Sequence, residues 1–591
     1  MTTRAFGCND TAANTFSPRL IGAHGAIACE HYLAAQAGRD VLGAGGNAVD
    51  AAVAATLIEG IANPQMHTLG GECPMLIRMA DSARVVCVNG NTNAPALATP
   101  AAYRERGLDE VPEEGILAAG VPATLDALLH ALKRFGRLRF ADVAAPALNL
   151  AREGVPVHRG MLHQPRYGLV DLAAKFRQRW PASAQIYLPN GEPPGVGARL
   201  QNPALADLLE MLVHCESGAG GDRGHGIQAV RDGFYRGDPA TEIDRYSRAR
   251  AGLLRRTDLE VFESHIEAPV QRVFRGATVF KCGPWNQGPV MLQALAVLDH
   301  FAIEKLRPDG PEYLHLLIEA MKLAFADREQ YYGDPRQIEV PIDALLSTEY
   351  ARERAALIDR QQADAELRPG DPRTLSASLP VDARLGGRAW GAGTVHVDVI
   401  DGDGNMASFT PSGGWIRSAE VIPALGLPLG NRLMTFYLGP DHHPNVIAPG
   451  KQPRTTISPS LALLDDEPWM CFGSMGGDQQ DQWQLQFFLN RLIFGMPIQA
   501  AIEAPKLSSE HFPGFFAPHQ RIARRVCMEP RFDQATLDEL TRRGHDIEVV
   551  PDWTEGYLLA VAREPEHGLL EAGCDPRGAK SDVFPAFALA W

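Results

Sequence analysis

The fold turns on Gly391-Ala392-Gly393-Thr394-Val395-His396-Val397-Asp398-Val399-Ile400-Asp401. From Val395 the residues alternate, with Val395, Val397 and Val399 on one side and His396, Asp398 and Ile400 on the other. A period of two predicts a strand with one buried face. Asp401-Gly402-Asp403-Gly404 predicts a turn, and 405–410 the returning strand of a hairpin. Ahead of the first strand, two glycines flank Ala392, and glycine accepts backbone angles that other residues resist. A hydroxyl residue therefore stands at the head of a core strand, behind a backbone that can bend sharply. If the Gly393–Thr394 bond is cut, Thr394 gains an α-amine with an unperturbed pKa of about 7.7–8.0. That amine can take the hydroxyl proton and leave a nucleophile. The same hydroxyl can make the cut by attacking the Gly393 carbonyl. The pattern alone also fits an ordinary strand threonine.

Outward from this point the chain divides in character. After 394 it is strand-rich, at 394–400, 405–410, 459–464 and 469–473, then helical over 484–492 and 498–504. Further strands are expected around 522–528, 546–549 and 557–563. Before it, 362–393 mixes proline, glycine, arginine and serine with little periodicity and reads as a linker ending at the proposed cut. Further upstream, 26–60 reads as strand, helix, glycine turn and alanine-rich helix. Gly43-Ala44-Gly45 follows a helix and lacks a third glycine, so a packing role is preferred to nucleotide binding. Met75–Met79 and Arg84–Asn89 suggest a hairpin. Helices are expected at 123–135, with Pro122 in the first turn, and at 140–153, 203–214, 290–301 and 311–332. Ser217–Gly226 reads as an exposed, mobile loop.

The chain has 591 residues, 45% hydrophobic and 21% charged, which is a globular composition. A net charge of −15 argues against nucleic acid and anionic membrane surfaces as partners. Nine scattered cysteines form no CxxC pair, so zinc-knuckle and redox motifs are not supported and most read as buried hydrophobes. Met1–Ser17 lacks the apolar core of a secretory signal, and no apolar run would span a bilayer, so the cytoplasm is the expected location. His442-His443 with Asp441 lack helical ligand spacing and make a poor metal site.

Seven stretches occur in a specific order: Gly45-Gly46-Asn47-Ala48-Val49-Asp50-Ala51-Ala52, Gly120-Val121-Pro122, Ala326-Asp327-Arg328 with Gly333-Asp334-Pro335, Thr394-Val395-His396, Ser458-Pro459-Ser460, Gly473-Ser474-Met475-Gly476-Gly477 and Asp575-Pro576-Arg577. With them the chain resembles the γ-glutamyltranspeptidase family of N-terminal-nucleophile hydrolases, from about Gly25 to Arg577. The resemblance implies an α+β fold, a four-layer αββα sandwich. It implies one precursor cut before Thr394, with 1–393 and 394–591 staying together as a large and a small subunit. It implies no cofactor and no metal. By the same resemblance Thr394 is the nucleophile and Ser412 the hydroxyl that bonds it. Gly476 and Gly477 hold the oxyanion, and Thr455 and Thr456 grip a substrate carboxylate.

The departures concern the substrate. The family's glutamate-reading arginine falls on Asn91, and the acid that holds the substrate amine falls on Thr435. A neutral amide becomes Arg432, another becomes Gly414 beside Trp415, and the 437–451 segment is short for a lid. A pocket without partners for a zwitterion binds one poorly. The pattern resembles the divergent, oxamate amidohydrolase-like branch, with Arg432, and Arg417 as a second candidate, open to meeting a carboxylate of another acyl group, to forming a structural ion pair in a packed loop, or to standing as a solvated surface charge. The expected activity is amide cleavage through an acyl-threonine, by hydrolysis or by transfer to an amine. A true γ-glutamyl transferase or glutathione hydrolase, and an uncut binding protein on the same scaffold, are the alternatives. Expected partners are a small amide or peptide-like substrate and the two subunits, with a homo-oligomer open.

Overall fold

The computed structural model describes residues 15–376, 393–564, 566–577 and 586–591. Gly391, Ala392, Cys8, Met1–Asn14 and the 377–392 part of the expected linker lie outside the described residues. The hairpin forms as its alternation requires, Val397–Asp401 pairing antiparallel with Met406–Phe409. Its turn is closed by one side chain. The Asp401 carboxylate accepts the amides of Asp403 at 3.1 Å and Asn405 at 3.0 Å, and also that of Ala48 at 2.9 Å. A hairpin turn thereby also satisfies a free N–H at the start of the Ala48–Ala62 helix. Asn47 and Asp50 add a capping box at the same helix end.

On its other edge Val397–Asp401 pairs with Gly25–Cys29. These strands occupy the middle of a seven-stranded sheet that continues through Met75–Arg78, Val85–Asn89 and His265–Glu267 and ends at Phe587–Ala590. A second seven-stranded sheet contains Val270–Phe274, Ala277–Lys281, Ser460–Leu464, Glu467–Ser474, Leu558–Arg563, Leu570–Cys574 and Leu20–Gly22. Ala28, Ile400 and Met406 of the first sheet meet Leu461, Cys471 and Val561 of the second in one apolar layer. Helices 32–43, 48–62 and 124–135 cover the outside of the first sheet, with 140–153 packed on 48–62; helices 289–298, 480–492 and 498–503 cover the second, with 311–331 packed on 289–298. This is an αββα sandwich, as the resemblance implied.

One expectation for the central strand fails. Val397–Asp401 is buried on both faces, not one. Val397 and Val399 pack under the helices, while His396 and Asp398 enter the space between the sheets. Room for the imidazole comes from Gly473 on the facing sheet, where a Cβ would fall inside the His396 ring. Two polar side chains are thus placed in a dry layer and must find partners there.

Other readings also need correction. Ser217–Gly226 is mostly helical, because Pro203–Gly218 runs longer than its pattern suggested and Arg223–Tyr235 starts soon after, capped by Asp222. Arg223 further binds the carbonyls of Leu132, Lys133 and Leu138. Pro122 lies ahead of the Thr124–Phe135 helix, not in its first turn. In the Gly43–Gly46 turn a side chain at Gly43 would meet nothing, and the crowded position is Gly46, against Val41. Within 362–376 the chain is irregular but anchored. Gly370 donates to Asp327 at 2.9 Å, and Arg368 bonds Leu357 and Glu319. The eight described cysteines are free and mostly buried. No helix among the described residues is long and apolar enough to cross a membrane.

Candidate active site

Thr394 stands just before the central strand and bridges Ser412, which follows the returning strand. The next main-chain bond, Val395 N–H to the Pro411 carbonyl at 3.0 Å, holds the two ends in register. Thr394 is buried at 5% exposure, and its Oγ1 lies 3.1 Å from Ser412 Oγ. Both hydroxyls converge on the Gly393 carbonyl oxygen, at 2.9 Å from Thr394 and 2.7 Å from Ser412. Gly393 itself has φ +117°, and a Cβ there would sit 2.5 Å from the Trp415 indole nitrogen. Only glycine fits both conditions. The Trp415 ring is fixed in turn by its N–H bond to the Met66 carbonyl at 2.7 Å.

Ser412 is the most heavily restrained residue of the corner. Its main chain exchanges two 2.9 Å bonds with Glu72, and its carbonyl oxygen lies 3.3 Å from His67 Nδ1. Burial lowers the His67 pKa to about 3, so this imidazole is neutral near pH 7. Gly71 lets these segments meet, since a Cβ there would collide with the Ser412 carbonyl. On the side-chain side, Arg432 Nη2 donates to Ser412 Oγ at 2.9 Å and Arg432 Nε donates to Glu72 Oε1 at 2.5 Å. Arg432 and Glu72 are 2% and 1% exposed. Burial pushes the Glu72 carboxyl up, and the guanidinium beside it opposes that shift. Arg432 therefore forms a buried ion pair with Glu72, one of the alternatives that the sequence left open.

The glycine pair is brought to the same corner by packing. Met475 contacts Val395 and Met66, and Gly476-Gly477 follow directly. Gly476 has φ +127° and abuts the Trp483 ring at 2.5 Å from a would-be Cβ. Gly477 opens the short turn that leads into helix Gln480–Leu492, whose N-terminal N–H groups carry partial positive charge. Arg328, fully buried, supports this loop by bonding Asp478 and, at 3.0 Å, Gln287 Oε1; Gln287 in turn donates to the Gly477 carbonyl at 3.2 Å. Neighbouring carboxylates hold the Arg328 pKa up despite its burial. Donors aimed at one point are what an oxyanion requires.

Asn91 and Thr435 spend their side chains on the scaffold, while Thr455 and Thr456 are held beside it by main-chain bonds and burial. Asn91 Nδ2 donates to the Pro453 carbonyl at 2.7 Å, and its Oδ1 accepts the Thr92 amide at 2.9 Å. Thr435 donates to the Arg432 carbonyl at 2.8 Å. Thr455 pairs its main chain with Trp285 and Gln287, and Thr456 beside it is buried. Arg417 lies over the rings of Tyr167 and Trp415, 3.6 Å from Glu113. His443 stacks on Tyr437 at 3.7 Å, and burial lowers its pKa to about 3. Among the described residues the one grouping with metal-ligand proximity is Glu564, Glu566 and His567, which does not include His442 or His443. Sequence reasoning missed Glu72, although an acid directly after Gly70-Gly71 and before an apolar strand was the available signal. It also missed Trp415 as the wall behind Gly393.

Three comparisons bear on this arrangement. Residues 34–584 match the family model described as Gamma-glutamyltranspeptidase. The glutathione hydrolase-like YwrD proenzyme of Bacillus subtilis is 30% identical over 95% of this chain and 98% of its own. The oxamate amidohydrolase proenzyme of Klebsiella pneumoniae is 31% identical over 94% and 98%. The crystal structure of cephalosporin acylase from Bacillus halodurans superposes with a TM-score of 0.84 at 30% identity, covering 99% of each chain.

Proposed function

Given that the chain belongs to the gamma-glutamyltranspeptidase family, we propose that it is a proenzyme whose nucleophile for amide cleavage is Thr394, exposed when the Gly393–Thr394 bond is cut. In the mature enzyme the Thr394 α-amine removes the hydroxyl proton as Oγ1 attacks the substrate carbonyl. Ser412 Oγ holds Thr394 Oγ1, and the Gly476-Gly477 N–H groups receive the oxyanion. The amine leaves with the proton, and water then releases the acid from the acyl-threonine. An amine entering in place of water gives transfer by the same intermediate. The observation that carries this reading is the meeting of Thr394 Oγ1 and Ser412 Oγ on the Gly393 carbonyl oxygen.

The two products of the cut, 1–393 and 394–591, act as one unit. Both pieces contribute strands to each sheet: Val397–Asp401 lies beside Gly25–Cys29, and Ser460–Leu464 beside Ala277–Lys281. Separating them would expose the core of each sheet.

The acyl group is not an α-amino acid head. Asn91 and Thr435 are neutral and committed to main-chain bonds, and Arg432 is neutralised by Glu72. Burying an ammonium and a carboxylate there would leave both unpaired. The chemistry favours a small neutral acyl amide over the zwitterionic γ-glutamyl head of glutathione. A panel of oxamate, simple neutral amides and a γ-glutamyl anilide, assayed for released ammonia or amine, tests this. Turnover is expected on the neutral amides, with oxamate, whose acyl group carries a carboxylate, a poorer substrate. Preference for the γ-glutamyl compound would overturn the substrate reading.

A further inference from the structure

We propose that Arg432, pinned by Glu72, is the positioning residue of the self-cleavage step, because it decides where the single proton of Ser412 points. The inference rests on the reading that the chain cuts itself before Thr394.

A serine hydroxyl has one proton and two lone pairs. Ser412 Oγ has three polar neighbours: Arg432 Nη2 at 2.9 Å, Gly393 O at 2.7 Å and Thr394 Oγ1 at 3.1 Å. The guanidinium can only donate and the carbonyl can only accept. All three contacts are satisfied in one way. Arg432 donates to Ser412, Ser412 donates to the Gly393 oxygen, and Thr394 donates to Ser412. The Thr394 lone pairs are then left for the Gly393 carbonyl carbon. Without the arginine, the Ser412 hydroxyl loses the charge-assisted bond that fixes it and polarises its proton toward the Gly393 oxygen, and donation to Thr394 competes. In that competing arrangement the threonine proton falls on the Gly393 oxygen, 2.9 Å away, and the nucleophile spends its proton on the group it must attack.

Glu72 makes this orientation rigid. It fixes the guanidinium through Nε, and its own main chain is paired twice with that of Ser412. Donor, relay and counter-ion are therefore tied to one strand contact. The opposite charges of Glu72 and Arg432 cancel at a distance, so the effect on the Gly393 carbonyl is directional and passes through Ser412. Burial keeps water from competing for the same hydroxyl.

The step itself balances. The Thr394 Oγ1–Gly393 carbon bond forms and the carbon–nitrogen bond breaks. The oxygen that turns anionic between them is the one Ser412 donates to. The threonine hydroxyl proton ends on the departing nitrogen, which becomes the new α-amine. Water then hydrolyses the ester, leaving a Gly393 carboxylate and restoring the Thr394 hydroxyl.

The test is the rate at which purified full-length precursor yields a chain beginning at Thr394, followed by intact mass. Glu72→Gln combined with Arg432→Met replaces the ion pair by a neutral pair of similar size and avoids a lone buried carboxylate. It is expected to keep the wild-type circular dichroism and melting transition while maturing about 10- to 100-fold more slowly. Arg432→Lys, which lacks the planar fork needed to hold Glu72 and Ser412 together, is expected to fall between. Guanidinium added below its unfolding concentration should accelerate maturation of Arg432→Ala, a rescue that a purely structural role would not give. A folded double variant that matures at the wild-type rate overturns the inference. If the double variant does not fold, wild-type maturation by the lysine variant overturns it instead. Normal maturation with only a raised KM for carboxylate-bearing amides would also overturn it and make Arg432 a substrate cation. Wild-type protein that is never cut before Thr394 would sink the underlying reading instead.

Discussion

Two polar clusters sit at neighbouring positions of one buried hairpin and are built on opposite principles. Around Thr394 and Ser412 the one buried carboxylate, Glu72, has a guanidinium on it, and the hydroxyls are bonded to each other and to one carbonyl. Two residues along, the Glu30 carboxylate accepts the His396 amide at 2.7 Å and its other oxygen has no partner. Glu59 accepts the His31 amide at 2.7 Å and Asn63 at 2.6 Å. Among the described residues no cation pairs with either carboxyl. Burial pushes Glu30 well up, with the Glu59 charge adding to it, and pushes Glu59 to about 7 against the pull of its hydrogen bonds. The paired corner holds one geometry over a wide pH range, as chemistry on a fixed carbonyl requires. The unpaired cluster takes up protons instead.

The contrast can be broken at either end. The largest effect is expected from Thr394→Ala, which should remain a single folded chain with activity lowered at least about 10⁴-fold, read by gel and amide assay. Ser412→Ala should slow both maturation and turnover by about 10²–10³-fold, because the same hydroxyl serves the Gly393 carbonyl and the nucleophile. Unchanged rates would remove Ser412 from the site.

At the other cluster, folding raises the proton affinity of Glu59 from an ordinary 4.5 to about 7. Between those values the folded chain holds more protons than the unfolded one. Its contribution is complete below about pH 4.5 and is lost as pH rises through 7. Glu59→Gln should flatten that decline by about 3 kcal/mol between pH 4.5 and 8, measured by denaturant unfolding. An identical slope in the variant would mean the carboxyl titrates normally. Smallest is Gly393→Ala, expected to cost about 1–3 kcal/mol through its left-handed φ and the Trp415 contact, with slowed maturation. A wild-type melting temperature would show that Trp415 moves aside.

Local regularities were legible in the sequence, and long-range pairings were not. Alternation from Val395 located the central strand, and Asp401-Gly402-Asp403-Gly404 located its turn, because both depend on residues a few positions apart. The same alternation could not say that a second sheet lies behind His396, so the strand was read as half-exposed. Ser217–Gly226 was misread because glycine and charge outweighed helical contacts supplied by Leu132 and Leu138 from elsewhere in the chain. Thr394, Ser412, Gly476 and Gly477 were named from motif resemblance, and the fold brings their segments to one corner. Arg432 was named with its role left open between a substrate cation, an ion pair and a surface charge, since its partner Glu72 is 360 positions away. Nothing local to either residue announces that pair.

The most direct measurement is an intact mass spectrum of the purified full-length protein after incubation. The account predicts two chains, 1–393 and 394–591, the second beginning with an unblocked Thr394. A lone 591-residue chain after days of incubation, or a new terminus at any other residue, would contradict it.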